Sequence, residues 1–338
     1  MYYANSDVRL EEMPVPQVGP GEILMRVEAS GVCGSDVMEW YRVGRIPLVL
    51  GHEVAGTVAE TGKGVRRFKK GDRIAAAHHV PCMKCRYCKS GHETVCEMLR
   101  KTNFHPGGFA EYIRLPAVNV ERGVLALPNS VSFEDATFIE PLACVARGQR
   151  LAGLKKGDTV LIAGSGMSGV LHAALAKARA AKRVITTDVI EYRRKFAERC
   201  GADEAIDARG DVPARVRAAS DGLGADIVIV TTGAPKAIEQ ALASVRRGGT
   251  VLFFAATEKG VTIPLSINDT FWRTELTLMS SYAGSPADHK EALGLIKAGK
   301  VRVSDMITHR FGLAQSGDAF RFVSEAKDSM KVIIEPQK

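Results

Sequence analysis

The sequence predicts an α/β protein whose first half is β-rich and whose second half forms a doubly wound parallel sheet. Up to about residue 145, short strand patterns alternate with Gly and Pro. From about residue 157, β-branched runs alternate with helix-length segments, the order that builds parallel βαβ units. The length of 338 residues exceeds what one hydrophobic core usually holds, so we expect two domains.

The strands expected in the first half are short, β-rich runs that end at turn residues: 22–31, 53–62, 72–80 and 109–120. Helical periodicity first appears at 132–153. Ser132 could cap this helix, and Pro141 would interrupt it.

The second half alternates strand and helix patterns. The strands are expected at 158–164, 183–188, 202–207, 225–233 and 249–256, and the helices at 169–181, 191–201, 212–220 and 236–248. Their continuous apolar runs are typical of a sheet buried on both faces. After about residue 285 an amphipathic segment, 288–300, is followed by strand patterns at 307–313 and 331–336.

Composition and charge exclude two classes of partner. The formal net charge is +8, but Lys and Arg are interspersed with Asp and Glu, and aromatic residues make up only 6%. A nucleic-acid-binding stripe with stacking platforms is therefore not expected. No run of 18 apolar residues occurs and the N-terminus lacks a signal-peptide pattern, so we expect a cytoplasmic protein that does not span a membrane.

A glycine-rich loop in the second half predicts dinucleotide binding. Gly164, Gly166 and Gly169 have G-x-G-x-x-G spacing between an expected strand and helix, which allows a tight turn and close approach to a pyrophosphate. Asp188 ends the next strand. A carboxylate at this position can accept hydrogen bonds from the ribose hydroxyls and would repel a 2′-phosphate, so NAD is favoured over NADP. Arg193 and Arg194 leave some use of NADP open. The residues assigned to the cofactor are Gly164, Gly166, Met167, Ser168, Gly169, Asp188, Arg193 and Thr232.

Four clustered cysteines predict a structural metal site. Cys82, Cys85, Cys88 and Cys96 have the spacing C-x2-C-x2-C-x7-C, and an odd total of seven cysteines argues against a disulfide scaffold. Four thiolates suit a closed tetrahedral zinc site. An iron–sulfur cluster is the alternative, although the fourth spacing differs from that of ferredoxins. His78, His79 and His92 lie nearby and are interpreted as surface or packing residues.

A third group of residues could hold a catalytic metal. Cys33 and His52, with a glutamate from Glu53 or Glu140, would supply three protein ligands and leave one position open for water or substrate. Each residue by itself is a weak signal, because single Cys and His residues are more often structural.

The sequence resembles the zinc-dependent medium-chain dehydrogenases of the alcohol dehydrogenase superfamily, and within it the sorbitol and L-threonine dehydrogenase branch. The motifs that carry the resemblance follow the family order over nearly the whole chain: CGSD (33–36), GHEVAGTVAETGKGV (51–65), GDR (71–73), the four-cysteine lobe, GGFAEY (107–112), EPLAC (140–144), GSGMSG (164–169) and ITHRF (307–311).

The resemblance implies a GroES-like β-rich catalytic domain over 1–145 and 286–338, with a structural zinc lobe at about 80–98, and a Rossmann domain over 146–285. It also implies a homodimer or homotetramer, joined through the edge strand within 260–282. The family's last cysteine ligand corresponds to Glu140 in this branch, so Cys144 and Cys200 are interpreted as core cysteines.

By the same resemblance, zinc acts as a Lewis acid on a substrate hydroxyl, Ser35 accepts its proton, Asp36 orients His52, and hydride passes to NAD. Many relatives carry a proton-relaying histidine where this chain has Met38, so the relay must end in water or use another group such as Glu39. The expected substrate is a secondary alcohol or polyol. The alternative substrates are L-threonine, another amino alcohol or a sugar-alcohol phosphate. A further alternative is that the protein is a zinc-free enzyme similar to the quinone reductases.

Overall fold

The computed structural model describes residues 1–326 and 328–338. Lys327 falls in the predicted catalytic range 286–338 and lies outside the described residues. The chain divides into two compact units, here called unit 1 and unit 2. Unit 1 comprises Met1–Ala143 and Ala283–Lys338, and unit 2 comprises Cys144–Tyr282.

The strands, in chain order, are β1 (Tyr2–Ala4), β2 (Asp7–Val8), β3 (Ile23–Val32), β4 (Glu53–Thr61), β5 (Arg73–Ala77), β6 (Tyr112–Leu115), β7 (Val124–Ala126), β8 (Thr159–Ala163), β9 (Arg183–Asp188), β10 (Glu204–Asp207), β11 (Ala225–Val230), β12 (Val245–Phe253), β13 (Thr277–Ser280), β14 (Ile307–Gly312) and β15 (Lys331–Glu335).

The α-helices, in chain order, are α1 (Glu39–Arg42), α2 (Arg86–Lys89), α3 (Ala117–Arg122), α4 (Phe133–Ala136), α5 (Ile139–Leu151), α6 (Met167–Ala178), α7 (Glu191–Arg199), α8 (Val212–Ala218), α9 (Pro235–Ser244), α10 (Ile267–Thr270), α11 (Pro286–Lys297) and α12 (Ser316–Glu325). Short 3-10 helices cover Gly34–Val37, Glu93–Val95, Leu99–Lys101, Ser304–Met306 and Leu313–Gln315.

Unit 1 is built on a mixed sheet in the order β14-β15-β3-β4-β5-β7, with β6 also paired to β3. Its core is formed by side chains that alternate along β3, β4 and β6, including Ile23, Met25, Val54 and Ile113. Because β3 and β4 are antiparallel, the end of β3 lies beside the start of β4. This register positions the candidate metal ligands of unit 1.

Unit 2 contains a parallel sheet in the order β10-β9-β8-β11-β12-β13. The chain reverses its direction of winding between β8 and β11, the switch point at which doubly wound sheets bind their ligands. β8 is buried along its whole length, as the apolar run predicts. The predicted Rossmann-type fold class is therefore confirmed.

Three sequence expectations about element boundaries were wrong. The strand expected over 109–120 ends at Leu115, because Pro116 cannot continue the ladder and instead precedes α3. Residues 245–248 extend β12 rather than α9, since Val245 pairs with Ala225. Pro141 lies in the first turn of α5, where it removes no helical hydrogen bond, and the break comes before Ile139.

Two further expectations concern helices. Ser132 does cap α4, accepting a hydrogen bond from the Asp135 N–H at 2.9 Å. Throughout residues 1–326 and 328–338, the helices are all too short or too polar to cross a lipid bilayer.

Candidate metal and dinucleotide sites

The turn after β3 places a thiol and a carboxylate in a fixed relation. Cys33 caps the 3-10 helix Gly34–Val37, and its sulfur accepts hydrogen bonds at 3.4 Å from both the N–H and the hydroxyl of Ser35. The Asp36 carboxylate closes the turn by accepting the Cys33 N–H at 3.0 Å. The sequence CGSD therefore builds a capping box that holds the side chains of all three candidate residues, Cys33, Ser35 and Asp36.

Asp36 also orients His52, which immediately precedes β4. Nδ1 of His52 lies 3.4 Å from Oδ1 of Asp36, whose side chain is fully buried. Burial alone would raise the pKa of Asp36, but His52, Arg42 and the Cys33 amide hold it below its usual value. Burial disfavours a charged His52, yet Asp36 and Cys33 outweigh this and raise the pKa of His52 well above its usual value. With Nδ1 directed at Asp36, Nε2 remains for a ligand.

Glu53, the first residue of β4, is held by a buried lysine. Lys331 opens β15, and its Nζ donates to Oε2 of Glu53, with both side chains only 1% exposed. The pair lies over Gly31 of β3, whose neighbours across the sheet are Glu53 and Ile333. A Cβ at Gly31 would lie 2.2 Å from Oε2 of Glu53 and 2.7 Å from Cε of Lys331, so glycine makes the room for this ion pair.

Cys33, His52 and Glu53 fit a metal ion. One ligand atom from each lies within 4.8 Å of the others, and thiolate, imidazole and carboxylate are all ligands that zinc accepts. Glu140 is not part of this cluster. It lies in the first turn of α5 and lines a small cavity together with Ala77 and His289.

Two histidines beside His52 were not assigned a functional role from sequence. The His78 ring lies 4.8 Å from that of His52 and 3.8 Å from that of His79, measured between centroids. Burial and the neighbouring imidazoles lower the pKa of His78 well below its usual value. Nδ1 of His79 lies 2.9 Å from the Thr102 carbonyl oxygen, whereas no group of the described residues bonds Nδ1 of His78. Only the fold brings this pair beside His52, so spacing carried no signal.

The four cysteines of the lobe converge as their spacing predicts. Their sulfur atoms all lie within 4.8 Å of one another, with Cys85 and Cys88 3.5 Å apart and Cys82 and Cys88 3.9 Å apart. A tetrahedral zinc with Zn–S bonds of about 2.3 Å needs sulfurs about 3.8 Å apart, so the four thiols fit it. Backbone N–H groups of Lys84 and Cys85 lower the pKa of Cys82, whereas burial raises that of Cys88.

The glycine loop lies at the carboxyl end of β8. Gly164 has φ +105°, a conformation that favours glycine, and Gly166 is the N-cap of α6. A Cβ at Gly169 would lie 2.0 Å from the Gly164 carbonyl oxygen, whereas one at Gly166 would meet only Nη1 of Arg193, at 3.9 Å. The open space beside Gly166 and the N-terminus of α6 suit a pyrophosphate.

The other predicted cofactor residues surround the same edge of the sheet. Asp188 ends β9, and its two carboxylate oxygens accept the N–H groups of Ser165 at 3.0 Å and Ile190 at 2.9 Å. Nη1 of Arg193 lies 4.0 Å from this carboxylate. Met167 and Ser168 begin α6, and the Thr232 hydroxyl, after β11, accepts the Ala234 N–H at 3.3 Å.

A Rossmann-type sheet with a glycine loop, together with thiol-containing groups of metal-ligating side chains in a β-rich unit, defines the class of metal-dependent, dinucleotide-dependent oxidoreductases. Residues 19–128 match the alcohol dehydrogenase GroES-like domain, and residues 169–298 match the zinc-binding dehydrogenase domain.

The chain is 35% identical to L-threonine 3-dehydrogenase of Pyrococcus horikoshii, over 96% of this chain and 94% of that protein. It is 31% identical to sorbitol dehydrogenase of Gallus gallus, over 97% and 93% of the two chains. The crystal structure of 2R,3R-butanediol dehydrogenase from Bacillus subtilis superposes with a TM-score of 0.85 at 26% identity, covering 99% and 98%. The chain belongs to the zinc-dependent alcohol dehydrogenase family and is an oxidoreductase.

Proposed function

We propose that this chain oxidises a secondary alcohol or polyol to a ketone, with zinc at the Cys33–His52 centre and NAD as hydride acceptor. The observation that carries the proposal is the cluster of Cys33, His52 and Glu53, with Asp36 directing the imidazole. Zinc bound there would polarise the substrate hydroxyl and lower its pKa. The four thiols of the lobe would hold a second, structural zinc.

Ser35 is the proposed first proton acceptor. Its hydroxyl lies 3.4 Å from the Cys33 sulfur, so it is adjacent to the centre at which the substrate hydroxyl would bind. A hydroxyl can accept that proton while passing its own onward. Met38 cannot continue the relay, and Glu39 is exposed, where it accepts the Asn5 N–H at 3.2 Å. We therefore propose that the proton leaves Ser35 through water.

Glu53 is the favoured third ligand because it, and not Glu140, lies in the cluster of described ligand atoms. Lys331 offsets the Glu53 charge, and Arg42 offsets that of Asp36. The Cys33 thiolate would therefore be the main source of uncompensated negative charge around the bound metal. Glu140 remains the alternative ligand.

The cofactor proposal depends on Asp188. Its carboxylate lies at the end of β9, where the adenosine ribose of a dinucleotide binds in this fold class, and its negative charge would oppose a 2′-phosphate. Arg193 lies close enough to offset part of the Asp188 charge and so to weaken the repulsion of a 2′-phosphate. We propose NAD as the main cofactor and NADP as a poorer one.

Two observations bear on the substrate. His78 has a buried Nδ1 that the described residues leave unpaired. We propose that the His78 ring turns towards the bound substrate and that Nδ1 bonds a second polar group there. The similar proteins act on sorbitol, butanediol and L-threonine by their names. We propose a polyol or diol as the substrate and keep L-threonine as the second candidate.

We further propose that unit 1 is the catalytic domain, that unit 2 binds the dinucleotide, and that the protein works in the cytoplasm as a homodimer or homotetramer. β13 is a half-exposed edge strand, and Ile267 and Trp272 before it are exposed. Such an edge can pair with a second copy.

A substrate panel tests the proposal. The full-length protein is assayed with NAD⁺ and NADP⁺ on sorbitol, galactitol phosphate, butanediol, inositols, L-threonine and a simple primary alcohol. Zinc is counted in parallel, before and after chelation. Oxidation of a polyol or diol with two zinc ions per chain supports the proposal. One zinc or less with quinone reduction would contradict it.

A further inference from the structure

Arg42 is turned inward onto the turn that carries the candidate metal ligand. It ends α1, and its side chain is only 11% exposed. Its Nε and Nη2 donate to the Ser35 carbonyl oxygen at 3.1 and 2.9 Å, and Nη2 lies 3.4 Å from Oδ1 of Asp36. The fixed fork of one guanidinium therefore binds two neighbouring residues of the turn at once.

Asp36 needs such a partner. The carboxylate is fully buried, with one oxygen accepting the Cys33 N–H and the other lying 3.4 Å from both His52 Nδ1 and Arg42 Nη2. A buried carboxylate is stable only when its charge is paired and its lone pairs are bonded. Arginine stays charged at any physiological pH, so the pair persists.

We propose that Arg42 is a positioning residue for the metal centre: it holds Ser35 and Asp36 in place and thereby fixes the directions of Cys33 and His52. The inference rests on the proposed function, since it concerns the zinc assigned there to Cys33 and His52. Arg42 is not itself a candidate metal ligand. It lies seven residues after Ser35 in the chain and acts on the ligands through Ser35 and Asp36.

A competing role would be recognition of an anionic substrate by the Arg42 guanidinium. Nε and Nη2 of Arg42 are directed at the turn, and Cζ of the guanidinium lies over the Tyr41 ring, 4.9 Å from the centroid. Arg45 offers a matched control, because it lies over the same ring at 5.5 Å and is exposed.

The test compares Arg42→Met, Arg42→Gln and Arg45→Met in the full-length protein. Cobalt(II) is loaded in place of zinc, and its affinity at each site is measured by competition with a chelator. The visible spectrum separates a site with four thiolates from one with a single thiolate. We expect Arg42→Met to bind cobalt at the Cys33–His52 centre about 10- to 100-fold more weakly, as for other outer partners of metal ligands.

The four-thiol lobe is the internal control for folding, so its affinity is expected to stay unchanged in every variant. Arg42→Gln is expected to bind cobalt at the Cys33–His52 centre with intermediate affinity because an amide still donates to one acceptor, and Arg45→Met is expected to match the wild type.

Wild-type affinity at both sites in Arg42→Met and Arg42→Gln would overturn the inference. So would an Arg42→Met effect limited to the KM of anionic substrates. A wild-type protein that binds metal only in the lobe would contradict the proposed function itself.

Discussion

Lys331 and Glu53 form a buried ion pair across β15, β3 and β4, although 278 residues separate them in the chain. Lys331 also lies 5.3 Å from the centroid of the Phe138 ring. Removing one partner from a buried pair leaves the other charge without compensation. Each of the two charges therefore depends on the other at the start of β4, next to His52.

In the metal-free protein, where no zinc compensates the Glu53 charge, Lys331→Met is expected to lower the free energy of unfolding by about 3–5 kcal/mol, because Glu53 would remain buried and unpaired. Urea denaturation of the wild type, Lys331→Met, Glu53→Met and the double variant measures this. The double variant should recover much of the loss, since two apolar side chains of similar volume can fill the site. A double variant as unstable as the sum of the two single ones would contradict the pairing.

Ser35→Ala should lower kcat by about 100-fold or more, the range for loss of a general acid–base group. Ser35→Thr keeps the hydroxyl and should retain most activity. Met38→His adds a titratable group beside the turn and should change mainly the pH dependence of kcat. Steady-state kinetics across pH 6–10 provide the measurement. Near-normal turnover of Ser35→Ala at every pH would disprove the relay.

His78→Phe should shift the substrate preference towards monohydric alcohols. Loss of one hydrogen bond to a second polar group is worth about 1 kcal/mol or more, so the ratio of kcat/KM for a diol over a simple secondary alcohol should fall by about fivefold or more. His78→Gln keeps a polar group and is the matched control. An unchanged ratio in His78→Phe would place the second polar group elsewhere.

Asp188→Ala should improve use of NADP⁺ relative to NAD⁺ by at least about tenfold, because it removes a negative charge facing the expected 2′-phosphate. Arg193→Met should have the opposite effect on that ratio. The measurement is kcat/KM for both cofactors at a fixed alcohol concentration. If Asp188→Ala lowered both values equally, the carboxylate would serve the structure of the loop, through Ser165 and Ile190, rather than cofactor choice.

His172 on α6 should contribute to acid lability. It is fully buried, and burial lowers its pKa to about 3 from an ordinary value of 6.5. Since the unfolded chain binds the proton first, its stabilising contribution is complete above pH 6.5 and is lost as pH falls towards 3. At pH 4.5 the loss is about 2–3 kcal/mol.

Thermal unfolding at pH 7.5 and 4.5 measures this effect. His172→Asn should lose less stability between the two pH values than the wild type does. The variant His92→Asn, at an exposed histidine, should behave as the wild type. An equal loss in His172→Asn and the wild type would assign the acid lability to other groups.

The sequence determined the features that depend on spacing along the chain. C-x2-C-x2-C-x7-C brings four thiols together because all of them lie in one short lobe. The glycine loop and Asp188 follow consecutive strands of a parallel sheet, so their positions at its carboxyl edge follow from the strand–helix pattern. Fold class, family and dinucleotide loop were therefore predictable from local periodicity and short motifs.

Tertiary structure decided the relations between residues far apart or on different faces. Nothing in the strand pattern of 331–336 shows that Lys331 would be buried against Glu53, because that contact depends on β15 pairing beside β3. Likewise, only folding places His78 beside His52 and turns Arg42 inward onto Ser35 and Asp36. Motif spacing is a property of the chain, whereas the burial and pairing of a charge depend on every element packed around it.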